Sequence, residues 1–107
     1  MAIRMLAMAM WLGLVGTAVA APDGVDVQLF TFRPATQDVK AGVDVTWTNR
    51  DDIEHTVTSG TPEARDGRFQ SPLAGKGATA TVRFKEPGVY PYFCERHPSM
   101  RGEIRVH

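Results

Sequence analysis

Cysteine is almost missing from this chain of 107 residues: Cys94 stands alone. A lone cysteine closes no internal disulfide, which excludes the staple that small exported domains commonly use. Charge of one dominant sign is missing too, with 12 Lys and Arg set against 12 Asp and Glu. That balance excludes the strongly basic surface with which a small domain holds nucleic acid or an anionic membrane. Beyond the first twenty residues there is no convincing helix-period segment, internal repeat or low-complexity tract. An all-β domain is what remains.

The long hydrophobic run is confined to the N-terminus. Arg4 precedes the apolar stretch Met5 to Val15, and Ala18-Val19-Ala20 has the small-residue form of a cleavage site. The stretch is shorter than the roughly 18 residues of a membrane span. A secretory leader over residues 1–20 is therefore expected, cut after Ala20 or Ala21, with no membrane insertion afterwards. The remaining domain, 21–107, holds 87 residues and a formal charge of −1, because Arg4 leaves with the leader and no acid does. Met1, Met5, Met8 and Met10 also leave, so Met100 is its only methionine. A thiol with no partner in an oxidising compartment calls for an occupant, and a bound metal would supply one while stabilising the fold.

What is present alternates. Val25, Val27 and Leu29 against Asp26 and Gln28 predict a strand over Val25 to Phe32, ended or bent by Arg33-Pro34. A short segment at Asp38 to Lys40 runs into the Ala41-Gly42 turn. Val43 to Asn49 alternates again and sends Val45 and Trp47 inward. Arg50 to Glu54 reads as a solvated acidic turn that delivers His55 to a β-prone run, Thr56 to Ser59. Gly60 to Gly77 shows no period and is expected to be a long irregular connection anchored by Phe69 and Leu73. Ala78 to Phe84 is a strand ending at Lys85-Glu86-Pro87-Gly88, a type II turn signal. Val89 to Cys94 and Arg101 to His107 close the chain as strands, with Tyr90, Tyr92 and Phe93 packing and Pro91 turned away from the ladder. Short strands with Gly/Pro turns between them predict an antiparallel sandwich or barrel.

The chemistry gathers at the last turn. Cys94 is followed by His97 and then Met100, three and six residues on. Thiolate, imidazole and thioether are the donors that redox-active copper prefers, and two His, one Cys and a weak axial Met form the blue-copper centre. His55 is the obvious second imidazole. A tight turn through Glu95 and Arg96 swings His97 back toward the sulfur, Pro98 stiffens the path, and Gly102 is read as supplying backbone freedom. Singly, each residue has a plainer reading: a surface histidine, a gap-filling methionine, a small buried thiol. Together, at chance frequencies of about 2% each, the spacing from one cysteine arises on the order of once in a few thousand.

Trp47-Thr48-Asn49, the acidic loop before His55, Phe69, and the run from Phe84 through Pro87-Gly88, Tyr90, Tyr92, Cys94, His97-Pro98 and Met100 to Gly102, Ile104 and Val106 resemble a cupredoxin of the plastocyanin/amicyanin type. The two-residue gap between His97 and Met100 is similar to the amicyanin loop. The resemblance implies a Greek-key β-sandwich of about seven to eight strands and one copper per chain, cycling between Cu(II) and Cu(I), held by His55, Cys94, His97 and Met100. It also implies a monomeric periplasmic carrier of single electrons between redox protein partners. Relatives often place Asn after the first histidine and Ser or Thr after the cysteine, where this chain has Thr56 and Glu95. They often place Pro between Cys and His and an aromatic before Met, where it has Arg96 and Ser99. A weaker or more charged docking patch around His97 is the expected result.

A copper chaperone using the same donors is the second reading. A copper enzyme needs a further metal centre with an open position, and beyond His55 and His97 only His107 is left to build one. The chain is therefore not expected to be an enzyme.

Overall fold

The computed structural model describes residues 23–107. The expected leader lies outside the described residues. Nine strands follow one another: β1 (Asp23–Gln28), β2 (Thr31–Arg33), β3 (Thr36–Val39), β4 (Val43–Asn49), β5 (His55–Thr61), β6 (Ala64–Leu73), β7 (Thr79–Phe84), β8 (Gly88–Cys94) and β9 (His97–Val106). No helix occurs among the described residues. One sheet has the order β3-β9-β8-β5-β6 and the other β2-β1-β4-β7. The chain passes repeatedly between them, as a Greek-key sandwich does, and the strand count slightly exceeds the seven to eight expected.

The alternation in the sequence becomes the core. Val25 and Val27 of β1, Val45 and Trp47 of β4, Val57 of β5, Tyr92 and Cys94 of β8, and Ile104 and Val106 of β9 meet between the sheets. Trp47 is fully buried and stacks edge-to-face on Tyr92 with ring centroids 5.2 Å apart. Such aromatic pairs supply both area and directional contact. Phe93 faces the other side of its sheet, where it is buried beneath the Arg65 guanidinium. The β5–β8 ladder ends at Ser59↔Tyr92, one pair short of Pro91, which has no N–H to offer it.

Four sequence expectations are corrected. Val25 to Phe32 is two strands, because the chain reverses at Leu29-Phe30, where both residues have positive φ, 53° and 59°. The alternation changes phase there, from Val25, Val27 and Leu29 to Phe30 and Phe32, but no Gly, Pro, Asn or Asp marks the turn. Gly60 to Gly77 is no irregular connection: β6 pairs antiparallel with β5 from His55↔Leu73 to Thr61↔Ala64. Most of β6 is exposed on both faces, with only Leu73 buried, so its sequence carries little apolar period. Lys85 to Pro87 form a bend rather than a hydrogen-bonded turn. Finally, the sheets are mixed, with β1 parallel to β4 and β9 parallel to β3.

Both ends of the described chain lie at one place. Asp23 and His107 line the same shallow depression, with Asp38, Val39, Lys40 and Val43 between them.

Candidate metal centre

Three adjacent strands of the five-stranded sheet carry the candidate donors. His55 opens β5, Cys94 ends β8, and His97 and Met100 lie at the start of β9. The β8–β9 ladder shifts register between His97 and Arg101, the stretch in which Pro98 and Ser99 are exposed and Met100 is buried. His55 Nδ1 is 3.6 Å and His97 Nδ1 is 3.9 Å from Cys94 Sγ. The ligand atoms of these three residues all lie within 4.8 Å of one another, the one such group of His, Cys, Asp or Glu among the described residues. Around a trigonal ion with bonds of about 2.0 and 2.3 Å, nitrogen and sulfur donors stand about 3.8 Å apart. The spacings therefore fit a metal between them. His55 and Cys94 are fully buried, His97 is half-buried, and Met100 is buried in the same apolar cluster as Cys94. A soft, closed set of donors at a sheet end suits copper better than a hard cation.

The surroundings fix these donors. The backbone N–H of Thr56 points at Cys94 Sγ over 3.4 Å and helps hold the sulfur in place. Thr56 Oγ1 accepts from the Glu95 N–H at 2.9 Å, tying β5 to the residue after the cysteine. Thr56 thus supplies the tie for which relatives often use asparagine. Asn49, fully buried, donates through Nδ2 to the carbonyls of Ile53 and Leu73 and accepts the Asp51 N–H on Oδ1, which shapes the loop ahead of His55.

Asp51 corrects the picture of that loop as merely solvated. Its side chain is only 13% exposed. Oδ2 lies 2.9 Å from His55 Nε2, and the two carboxylate oxygens accept the N–H groups of Leu29 at 2.8 Å and Phe30 at 3.1 Å. Desolvation pushes its pKa up, but the two backbone N–H groups and His55 together hold it below the usual carboxylate value. Above them Phe30 sets its ring edge-on to His55 and His97, with centroids 5.7 and 5.0 Å away. Asn49 and Asp51 are the functional residues that sequence reasoning missed as such. Around the half-exposed His97 the surface is part apolar, with Leu29, Phe30 and Ile53 exposed, and part charged, with Arg96 paired to Glu54 at 3.2 Å.

A sandwich with His55, Cys94 and His97 converging at one sheet end and a buried Met100 three residues after His97 is the architecture of a small copper protein. Residues 19–107 match the family described as copper binding proteins, plastocyanin/azurin family, and the chain belongs to it. It is 32% identical over 92 residues to amicyanin-alpha of Methylorubrum extorquens, covering 86% of this chain and 77% of that one. With chloroplastic plastocyanin of Tetradesmus obliquus it shares 33% over 103 residues, covering 89% and 71%. Among solved structures it resembles a purple cupredoxin from Nitrosopumilus maritimus, with a TM-score of 0.72, 26% identity and coverage of 79% and 99%. It resembles a Cu(I) form of an amicyanin variant with a TM-score of 0.73, 28% identity and coverage of 84% and 86%. The chain is a cupredoxin, and copper is its cofactor.

Proposed function

We propose that this cupredoxin is a monomeric periplasmic carrier of single electrons, in which His55 Nδ1, Cys94 Sγ, His97 Nδ1 and the thioether of Met100 would hold the copper. The observation that carries the reading is the convergence of two imidazole nitrogens on one buried sulfur at 3.6 and 3.9 Å. Copper supplies the one-electron couple when bound. The chain's residues do the rest. His55 is tied at Nε2 and fully buried, and Cys94 receives the Thr56 N–H. Donors held in this way need not rearrange between oxidation states, which is what a carrier requires. His97, half-buried beside Ile53 and Arg96, is the donor nearest the surface and the route by which a partner exchanges the electron. A chaperone, by contrast, must release its donors to an acceptor, and His55 is buried at the root of a strand.

Export rests on the sequence of residues 1–20, and the mass of the protein recovered from the periplasm tests it. For the centre itself, the copper-loaded chain should show an intense blue or purple thiolate-to-copper absorption at one ion per chain, with a matching electron paramagnetic resonance signal. Cys94→Ala should abolish that absorption, and a variant that kept it would sink the assignment.

A further inference from the structure

Asp51 is bonded on one side to a proposed copper donor and on the other to a turn 21 and 22 residues away. We propose that Asp51 is a positioning residue that couples the two: its carboxylate orients His55 toward Cys94 and, through the same oxygens, holds the Leu29-Phe30 turn that lays Phe30 over both histidines.

An ionised carboxylate only accepts, so the imidazole nitrogen facing it must be the donor. That puts the hydrogen on Nε2 and leaves the Nδ1 lone pair facing the sulfur, in the direction the 3.6 Å contact to Cys94 requires. The hydrogen bond at the remote nitrogen also makes the imidazole a more basic ligand. The carboxylate is itself aimed, since the Asp51 N–H is held by Asn49 Oδ1 at 2.9 Å.

The turn depends on it as well. Leu29 and Phe30 both have left-handed backbones, a conformation that Gly, Asn and Asp enter readily and large apolar residues do not. Nothing in their own side chains favours the turn. Both N–H groups are instead collected by Asp51, and Oδ2 is shared between Phe30 and His55. A shift of the turn therefore alters the acceptor of the ligand. The Phe30 ring, 51% exposed and 5.0 Å from His97 by centroid, belongs to the surface and to the metal centre at once.

The inference rests on the ligand reading above, and its test separates the two. In the metal-free protein, nuclear magnetic resonance should show a His55 Nε2–H that exchanges slowly with solvent; Asp51→Ala should lose it, and Asp51→Asn, with one acceptor oxygen, should retain a weakened version. With copper, Asp51→Ala should weaken Cu(II) binding about 10–100-fold and Cu(I) binding less. Each tenfold excess for Cu(II) appears as a rise of about 59 mV in reduction potential. Leu29→Gly relieves half of the turn's strain and leaves Phe30 in place. Added to Asp51→Ala, it should recover thermal stability while the potential stays shifted. The proposal is overturned by a potential unchanged in Asp51→Ala, by one restored by Leu29→Gly, or by a His55 Nε2–H equally protected with and without the carboxylate. If the wild-type chain takes up no copper, the ligand reading fails and the metal-free resonance still decides the role of Asp51.

Discussion

At the scale of single residues, the buried polar side chains Asn49, His55, Thr56, Thr58 and Ser59 all have hydrogen-bond partners, and two aromatic polar atoms in the core do not. The indole N–H of Trp47 and the phenol of Tyr92 are both buried, with no partner in hydrogen-bonding geometry. Burial pushes the Tyr92 phenol up to about 12, the neighbouring Trp47 acting weakly in the opposite direction. The folded pKa is thus raised above the unfolded value of 10.0. Below pH 10 the phenol is neutral in both states; between about pH 10 and 12 only the unfolded chain ionises, and stability falls by about 1.4 kcal/mol per pH unit. Tyr92→Phe should flatten that alkaline decline in urea unfolding, with no loss at pH 7, since it removes an oxygen that has nothing to bond. Gly102 belongs to the same neighbourhood. Its backbone needs no special freedom, contrary to the sequence reading; what it gives is room, because a Cβ there would sit 2.5 Å from the Tyr92 ring end.

At the scale of elements, what was legible followed local period and spacing. The inward faces of β4, β8 and β9 and the inward Val25 and Val27 of β1 read directly from alternation, and His97 and Met100 read as donors from their offsets after Cys94, with His55 brought in from a distant strand. The remainder is set by partners distant in sequence. Leu29-Phe30 carries no turn signal, because the conformation is held from Asp51 rather than from within. The acidic loop looked solvated because nothing local says that one of its carboxylates meets a histidine and two backbone N–H groups. The parallel pairings of β1 with β4 and β3 with β9 are likewise invisible in any short window. The β5–β6 hairpin had a clue in Gly60, read only as part of a loop. Its φ is +98°, and a Cβ would come within 2.5 Å of the Ala64 carbonyl oxygen. Gly60→Ala combines a left-handed backbone with a clash against main chain and should cost about 2–4 kcal/mol in thermal unfolding of the metal-free protein.

At the scale of the whole molecule, a domain this small has a modest core and no disulfide, so the metal is a large part of its stability. Copper at a hundred times its dissociation constant adds about 2.7 kcal/mol, which for a domain of this size is a rise in Tm of roughly 10–20 °C. Calorimetry with and without a chelator should show that difference. Met100→Ala should retain most of it, since a thioether would be the weakest of the four donors. Held as proposed, the cofactor would join β5, β8 and β9, three strands that are already neighbours in one sheet. It would therefore reinforce that sheet's end, while the opposite sheet contributes the Phe30 cover.

The shared depression that receives both Asp23 and His107 has a consequence for how the chain is wired. A short linker could join those two residues and new ends could be opened at the exposed Glu63 in the β5–β6 hairpin. Such a circular permutant would reverse the order in which the donors are synthesised, with Cys94, His97 and Met100 made before His55. If assembly of the centre depends on the packed sheets alone, the rearranged protein should turn blue as readily as the original.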